Sequence, residues 1–236
     1  TLPTKTQRKG FPDMASQHGY VDSDVTASAL CLRNGGILIY PTETFFALGC
    51  MADQAAAVDM LYQIKGRPVH KPLPLLAADT TQVDRVALLT AMPIGLEQFW
   101  PGPLTVLLPA RPGLPASLVN PDGQVAVRVT PHTLAATLAL EAGGALTATS
   151  ANLSGGKPAQ RAKDLDPRLL AALGGLALHG RAGRLLRGGP SPEGTLPSTV
   201  VAPLGPDQGR ALRLIRPGRI SMAALAAAGF TVLTDD

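Results

Sequence analysis

Charged residues are scarce in this chain, at 16%, and aromatic residues are scarcer still, at 4%. Few aromatic rings leave few platforms on which nucleobases can stack, which argues against base stacking as the main mode of ligand binding. The hydrophobic residues, 45% of the chain, must therefore build a core mostly from Leu, Val, Ile and Ala. Such a core is typical of α/β proteins, in which helices cover a sheet.

The chain also lacks a strong charge imbalance, since its net charge is +4 and its pI is near 9.3. A modestly basic balance favours acidic ligands such as a nucleotide or an RNA backbone. It also serves solubility, which is the commoner reason for it. Charge alone therefore identifies no partner.

Cys31 and Cys50 are the only cysteines, and they lack the CxxC spacing of a redox or metal pair. We expect both to be free thiols in a reducing compartment. The four histidines are scattered and form no HExxH pattern, so we expect no structural zinc and no metal-ligating residues.

Long apolar runs are missing as well: none reaches the roughly 18 residues that a membrane-spanning helix needs. The first twenty residues contain no apolar stretch typical of a signal peptide, so we expect a cytoplasmic protein without a membrane partner. Residues 1–22 are polar and aperiodic. They predict a loose N-terminal tail, followed by a single domain over residues 23–236.

Helical and extended patterns alternate along the rest of the chain. Helices are predicted over 23–36 with Ser23 or Asp24 as N-cap, 53–64 with Asp53 as N-cap, 80–89, 92–99, 132–142, 165–173 with a break at Pro167, and from Ser221 onward. Strands are predicted over 36–40, 72–78, 104–110, 124–130, 145–151, 198–203 and 212–218. This interleaving predicts a mixed α/β sheet flanked by helices, with residues 187–198 as a mobile loop.

Polar residues interrupt the apolar pattern at four places. These are Thr42-Glu43-Thr44, the segment with Lys65, Arg67 and Lys71, Arg128 on an apolar strand, and the segment with Thr149, Ser150, Asn152 and Ser154. Each has an ordinary structural explanation as a helix cap, a solvated helix terminus, a solvent-facing arginine or a flexible turn. Ligands of open α/β sheets bind beyond strand ends, however, and guanidinium, ammonium and glycine-flanked amides together suit a phosphate chain.

The common nucleotide and hydrolase motifs are absent. There is no GxxxxGK[ST], because Lys157 is followed by Pro158, and no GxGxxG follows the first strand. No GxSxG occurs either, which argues against the nucleophile elbow of a hydrolase.

An ordered series of motifs nevertheless resembles the YrdC-like threonylcarbamoyl-AMP synthases in their single-domain form. The series is PTET with LGC (41–44, 48–50), KGRPxxKPL (65–73), WPGPLT (100–105), VAVRV with His132 close behind, TSANLSG (149–155), STVV (198–201) and RPG (216–218). It extends over residues 24–225. The resemblance implies a YrdC-like twisted mixed sheet with a concave basic pocket at its strand ends.

The resemblance also implies a reaction. L-threonine, bicarbonate and ATP, with Mg²⁺, give threonylcarbamoyl-adenylate and pyrophosphate for the threonylcarbamoyl modification of tRNA adenosine. Proteins that transfer the threonylcarbamoyl group are then the expected downstream partners, and weak binding of RNA or tRNA is expected beside them.

The same resemblance assigns roles to residues at matching positions. The contacts to L-threonine are Thr42, Thr44, Arg128, Ser150 and Thr199; the nucleotide contacts are Lys65, Arg67, Lys71, Asn152, Ser154, Gln160 and Arg216; and Lys65 and Arg67 are also catalytic. The chain departs from the family's common pattern at four positions. Phe46 and Ala47 stand where tyrosine and glycine are common, Leu76 where some members have histidine, and Pro197 where glutamate is frequent.

Three other functions stay open at this point. A double-stranded RNA-binding module would use the basic residues against phosphates. A nucleotide-binding protein without turnover would fit the four departures. A carbamoyl-transfer domain like that of hydrogenase maturation proteins fits less well, because no Cys-rich segment accompanies the motifs.

Overall fold

Twelve strands and six α-helices alternate along residues 21–234, which are the residues that the computed structural model describes. The strands are β1 (Val21–Asp22), β2 (Ile37–Pro41), β3 (Phe46–Gly49), β4 (Leu75–Ala77), β5 (Leu104–Pro109), β6 (Gln124–Val129), β7 (Leu146–Thr147), β8 (Thr149–Ser150), β9 (Gly183–Leu186), β10 (Thr199–Pro203), β11 (Ala211–Arg216) and β12 (Thr231–Thr234). The helices are α1 (Val25–Arg33), α2 (Ala55–Lys65), α3 (Thr80–Val86), α4 (Thr133–Ala142), α5 (Pro167–Gly175) and α6 (Met222–Ala227).

The strands form two mixed sheets. One has the order β1-β9-β2-β3-β8 and the other the order β12-β11-β10-β5-β6-β4-β7. The sheets meet where an isolated antiparallel bridge joins Met51, just after β3, to Leu146 on β7. The predicted mixed α/β architecture is confirmed, but the strands divide between two sheets where we expected one.

The division occurs at Ala148, inside the single strand predicted over 145–151. Leu146–Thr147 pairs with β4, whereas Thr149–Ser150 pairs with β3 in the other sheet. Strands β3 and β7 approach each other closely at this point because Gly49 on β3 has no side chain. A Cβ at Gly49 would lie 1.9 Å from the main-chain oxygen of Thr147 on β7. Only glycine allows these two backbones to approach so closely.

Both faces of β2 are buried, which explains its continuous apolar sequence. Ile37 and Ile39 pack in one cluster of core side chains with α2, while Leu38 and Tyr40 pack in a second cluster with α1 and α4. Alternate residues of a strand point to opposite faces, so four consecutive side chains anchor two layers of helices. Fully burying each such side chain contributes about 1.5–3 kcal/mol.

The helix ends follow local rules in most cases. Asp24 caps α1 by accepting from Ala27 N at 3.1 Å, and Ser221 caps α6 by accepting from Ala224 N at 3.1 Å, as predicted. The prediction of Asp53 as the N-cap of α2 is wrong. The N-cap residue is Gln54, whose side chain caps no amide of the helix. Its side-chain Nε2 donates to Arg33 O instead.

Pro167 begins helix α5, and the predicted break within a helix over 165–173 is wrong. A proline at the first helical position lacks only an N–H that would have no partner inside the helix. The segment predicted as a helix over 92–99 forms only a short 3-10 turn, Leu96–Phe99. The short strands β3, β9 and β12 were not predicted from the sequence.

The predicted N-terminal tail, residues 1–22, lies outside the described residues except for Val21–Asp22, which pairs with β9. The single domain over 23–236 stays a prediction. Residues 187–198 form neither helix nor strand, as expected for a loop. Within 21–234, no helix combines the length and the apolarity needed to cross a membrane.

Candidate functional site

A cavity of about 430 Å³ opens among residues contributed by both sheets. It is lined by Thr42, Thr44, Phe45, Phe46, Ala47, Arg67, Pro74, Arg128, Ala148, Thr149, Ser150, Pro158, Pro197, Ser198 and Arg216. Six of these are residues to which the sequence analysis assigns a role, namely Thr42, Thr44, Arg67, Arg128, Ser150 and Arg216. Segments far apart in the chain thus meet around one hollow.

The turn between β2 and β3 presents two threonine hydroxyls to this cavity. Thr42 Oγ1 donates to Phe45 O at 2.7 Å, so its single proton is used inside the turn. Thr44 Oγ1 lies 3.2 Å from Thr42 Oγ1 and therefore acts as the donor of that pair. Its lone pairs remain available to accept a hydrogen bond from a ligand.

Arg128 lies on β6 and forms a buried ion pair with Glu43 across the two sheets. Its Nε donates to Glu43 Oε1 at 2.9 Å, while Thr130 Oγ1 donates to Glu43 Oε2 at 2.8 Å. Burial opposes ionisation of Glu43, but Arg128 and Thr130 outweigh it and hold the pKa of this carboxyl below its ordinary value. Glu43 is thus a carboxylate, and Arg128 keeps its Nη edge for other partners.

Arg67 and Arg216 reach the cavity with their charges uncompensated. Arg67 donates from Nε to Lys71 O at 2.8 Å, and Arg216 donates from Nη2 to Ser198 O at 2.7 Å and Ser198 Oγ at 3.0 Å. These acceptors are neutral, and within residues 21–234 neither arginine pairs with a carboxylate. Burial lowers the pKa of Arg216, and repulsion by Arg128 and Arg67 lowers it further. A bound anion would relieve that repulsion.

Lys65 ends helix α2 and lies behind the cavity. Its Nζ donates to Ser150 O at 2.5 Å, to Asn152 O at 2.8 Å and to Asn152 Oδ1 at 3.3 Å, which uses all three protons. Its own main-chain oxygen accepts from Ser154 N at 2.9 Å. Burial, followed by repulsion from Arg67, lowers the Lys65 pKa to about 8. Lys65 thereby holds the turn after β8 in place.

The other predicted contacts lie outside the first cavity. Asn152 and Ser154 line a second cavity of about 550 Å³, together with Lys157 and Lys163. Lys71 is exposed, and its main-chain oxygen accepts from Arg67.

Thr199 and Gln160 are both engaged with the protein itself. Thr199 is fully buried, where its hydroxyl donates to Ile220 O at 2.7 Å. Gln160 Nε2 donates to Gly194 O at 2.6 Å. Their roles, like the others expected from the sequence, stay predictions.

The loop over residues 187–198 packs against the threonine turn. Gly194 N donates to Thr44 O at 2.8 Å, and Arg219 donates from Nη1 to Glu43 O at 3.1 Å while its Nη2 pairs with the Glu193 carboxylate. At the other end, His132 Nδ1 accepts from Ala135 N, so Nε2 carries the proton and donates to Pro190 O at 2.9 Å. The loop therefore forms part of the cavity wall.

Glu43, Ser198 and Arg219 take part in this arrangement but were not among the residues expected from the sequence. Glu43 lies in the sequence between two predicted contacts, Thr42 and Thr44. A carboxylate directly after a buried strand was the signal that could have identified it. Ser198 stands in the STVV motif, next to a predicted contact. For Arg219 the sequence offers no signal, because its partners are 176 and 26 residues away.

Three of the four departures from the family pattern lie at the cavity. Phe46, Ala47 and Pro197 line it. Leu76 is fully buried on β4, opposite Arg128 in the strand register. These substitutions make the wall near the threonine turn more apolar.

Among the described residues, no three His, Cys, Asp or Glu side chains are grouped so that they could hold a metal ion. Cys31 and Cys50 are both buried, and neither takes part in a disulfide within residues 21–234. Burial raises the pKa of the Cys50 thiol to about 12, which leaves it unreactive at neutral pH.

Comparison with known proteins places the chain in a family. The Sua5/YciO/YrdC family model, described as "Telomere recombination", matches residues 31–218. A threonylcarbamoyl-AMP synthase of Stenotrophomonas maltophilia is 42% identical over 65% of this chain and 84% of its own length. One from Methylococcus capsulatus is 46% identical over 56% of this chain and 73% of its own length.

The fold matches solved structures as well. Sua5 of P. abyssi, in a complex with L-threonine, superposes with a TM-score of 0.73 at 27% identity over 89% of this chain. The match extends over 58% of that Sua5 chain, so this chain spans about three fifths of its length. Because the family model covers most of the chain and the relatives are matched over most of their lengths, the chain belongs to the Sua5/YciO/YrdC family.

Proposed function

We propose that this chain forms threonylcarbamoyl-adenylate and pyrophosphate from L-threonine, bicarbonate and ATP. Its relatives at 42% and 46% identity are threonylcarbamoyl-AMP synthases. The observation that carries the proposal is the cavity in which Arg67, Arg128 and Arg216 surround the hydroxyls of Thr42 and Thr44. Three guanidinium groups beside a small polar turn suit an amino acid next to a triphosphate.

The chemistry requires two anions to react. The carbamate of L-threonine attacks the α-phosphorus of ATP, and pyrophosphate leaves. Holding the two reactants together and neutralising their charge lowers the barrier without a covalent intermediate on the protein. In this proposal Arg128 binds the substrate's α-carboxylate, and Thr44 accepts a hydrogen bond from its amino or hydroxyl group.

The other cationic side chains are the proposed contacts to the phosphates of ATP. Arg67 and Arg216 have no carboxylate partner within residues 21–234, so their charges are available to phosphate oxygens. Lys65 contributes its positive charge and fixes the Ser150–Asn152 turn through three hydrogen bonds. Asn152, Ser154, Lys71 and Gln160 complete the proposed nucleotide contacts, and Ser150 and Thr199 complete the threonine side.

Mg²⁺ enters this proposal as part of the MgATP substrate. Glu43 is the carboxylate that pairs with the cavity residue Arg128, and both of its oxygens are engaged by Arg128 and Thr130. The described residues thus supply no ready carboxylate ligands. Phosphate oxygens and water, which Mg²⁺ commonly keeps as ligands, suffice.

The proposed product determines the partners. An acyl-adenylate is a mixed anhydride that water destroys, so a protein that transfers the threonylcarbamoyl group to tRNA adenosine must consume it. We propose a cytoplasmic enzyme, in keeping with two buried cysteine thiols. Binding of tRNA itself is expected to be weak.

Turnover with each amino acid in turn tests the proposal. The protein is incubated with MgATP, bicarbonate and one amino acid, while pyrophosphate release is followed and the adenylate is detected by mass spectrometry. We expect pyrophosphate and threonylcarbamoyl-adenylate with L-threonine, and much less with L-serine or L-valine. Nucleotide binding without pyrophosphate from any amino acid would contradict catalysis and leave a nucleotide-binding protein.

A salt titration separates catalysis from RNA binding as the main function. Binding to RNA phosphates releases counterions, so affinity for double-stranded RNA should fall steeply between about 50 and 200 mM salt. Turnover in the cavity should change little. Tight RNA binding that weakens steeply with salt, without turnover at any salt concentration, would favour the RNA-binding alternative.

A further inference from the structure

Glu43 is the only carboxylate within residues 21–234 that pairs with an arginine of the cavity. Each of its oxygens has a separate donor, since Oε1 accepts from Arg128 Nε at 2.9 Å and Oε2 accepts from Thr130 Oγ1 at 2.8 Å. Both side chains of the ion pair are almost fully buried, at 5% exposure for Arg128 and 9% for Glu43. Donors from β6 and from the residue that follows it thus fix the plane of the carboxylate.

The atom that Arg128 uses for this pair matters. Glu43 engages Nε, and among the described residues the two Nη groups have no hydrogen-bond partner. A guanidinium held at Nε keeps both Nη groups on a free edge, which matches the two oxygens of a ligand carboxylate. Because Arg128 lines the cavity, this edge is available to a ligand there.

The main chain of Glu43 is fixed as well. Its carbonyl oxygen accepts from Arg219 Nη1 at 3.1 Å and from Glu193 N at 3.4 Å. Glu43, in the middle of the threonine turn, is therefore held in place by strand β6, Arg219 and the loop over 187–198. A rigid support of this kind sets the orientation of the groups attached to it.

We propose that Glu43 is a positioning residue that holds the Arg128 guanidinium in the orientation required to bind the substrate's α-carboxylate. This inference rests on the proposed function. Glu43 touches no substrate and acts through Arg128.

Charge and orientation predict opposite effects when Glu43 is changed. As a bare negative charge, Glu43 repels a carboxylate ligand, so its removal would improve threonine binding. As a positioning residue it keeps the Nη edge turned to the ligand, so its removal weakens threonine binding. The direction of the change in KM therefore decides between the two effects.

Steady-state kinetics of Glu43→Gln, in the full chain, provide the test. We expect KM for L-threonine to rise about tenfold or more, while kcat and KM for ATP stay within about twofold. Thr130→Val removes the donor to Oε2, together with the hydrogen bond that Thr130 Oγ1 accepts from His132 N at 3.2 Å, and should raise KM for L-threonine by a smaller factor. Asp84→Asn, which removes the exposed pair between Asp84 and Arg111, is the matched control and should change neither KM.

A double-mutant cycle with Arg128→Ala shows whether Glu43 acts through the arginine. In the Arg128→Ala background, Glu43→Gln should leave the threonine KM unchanged within about twofold. A second measurement compares L-threonine with L-threoninamide, which lacks the carboxylate. Glu43→Gln should reduce the preference for the acid over the amide, an effect that general damage to the fold would not produce.

The outcomes separate the two proposals. If the wild-type protein makes no adenylate, the proposed function fails. If it does, and Glu43→Gln leaves the threonine KM unchanged, lowers it, or adds to the effect of Arg128→Ala, then the positioning role alone is overturned. If Glu43→Gln does not fold, Thr130→Val provides the test. The positioning role is overturned if Thr130→Val changes neither the KM for L-threonine nor the preference for the acid over the amide.

Discussion

Lys65 Nζ lies 2.8 Å from the main-chain oxygen of Asn152 and also reaches that residue's side-chain Oδ1 at 3.3 Å. These bonds join the end of α2 to a turn 87 residues further along the chain. A third bond to the turn, from Lys65 Nζ to Ser150 O, is 2.5 Å long. Two sequence motifs that looked like separate phosphate contacts are thus one unit, with the lysine as its internal support.

The lowered pKa of Lys65 predicts a pH dependence of nucleotide binding. In the folded chain this ammonium loses its proton as pH rises through about 8, whereas an unperturbed lysine keeps it up to about 10.5. Loss of the charge and of one donor should weaken the turn and its attraction for phosphate. We expect affinity for MgATP, measured by titration calorimetry, to fall with a midpoint near pH 8.

Lys65→Met is the matched variant for this prediction, because methionine carries no charge at any pH. Its affinity for MgATP should be low and nearly independent of pH in the same range. A wild-type affinity that stays constant well above pH 8 would show that the charge of Lys65 is not used.

Single arginine substitutions should separate the two substrates. We expect Arg67→Ala to weaken MgATP binding, and Arg128→Ala to weaken L-threonine binding, each by about tenfold or more, or about 1.4 kcal/mol. The reason is that each removes a charged donor from one part of the cavity. Calorimetry with each substrate alone measures both effects.

The control for this pair is Arg161→Ala, which removes an exposed arginine paired with Asp164. Exposed pairs contribute little, so neither affinity should change. Threonine binding that survives Arg128→Ala would contradict the assignment of the carboxylate contact.

Gly49→Ala should destabilise the protein severely. The new Cβ would lie 1.9 Å from the main-chain oxygen of Thr147, where neither backbone can move without breaking pairing between the sheets. We expect a loss of about 3 kcal/mol or more in the free energy of unfolding, or loss of the folded protein. Urea unfolding followed by circular dichroism measures it.

Gly175→Ala is the matched comparison, since a Cβ at this helical glycine meets nothing within 4 Å. Alanine is the better helix former, so stability should stay the same or rise by up to about 1 kcal/mol. Equal effects of the two substitutions would contradict the importance of the close approach at Gly49.

Arg219→Ala should loosen the loop over residues 187–198 from the threonine turn. The variant loses the hydrogen bond to Glu43 O and the ion pair with Glu193. We expect faster hydrogen exchange at the Gly194 amide, which donates to Thr44 O, and a raised KM for L-threonine. Arg168→Ala, at an exposed pair with Asp166, should leave this exchange rate unchanged.

Local structure was predictable where a single segment decides it. The caps at Asp24 and Ser221 depend on hydrogen bonds to an amide three residues on, so the sequence contains the whole interaction. The buried strand β2 and the helices around it follow from apolar runs and their spacing. Pro167 was misread because proline both ends and begins helices, and only the position of the first turn decides which.

Interactions between distant segments were beyond the sequence. The sequence left the face of Arg128 undecided, because both faces of β6 carry apolar residues; in the fold Arg128 pairs with Glu43 in the turn between β2 and β3. The family motifs pointed to six of the residues that line the cavity and to six that lie outside it. They did not reveal that Lys65 turns toward main-chain oxygens, since no side-chain pattern encodes the position of a carbonyl group.

The crossing at Ala148 restricts how this chain can change in length. Thr147 and Thr149 belong to different sheets, so one residue inserted or deleted between them would reverse the facing of every side chain in at least one short strand. Ser150 would then leave the cavity, or Leu146 would leave the core. Natural variants of this protein should therefore gain and lose residues in the surface connections, and keep a constant number between Gly144 and Ala151.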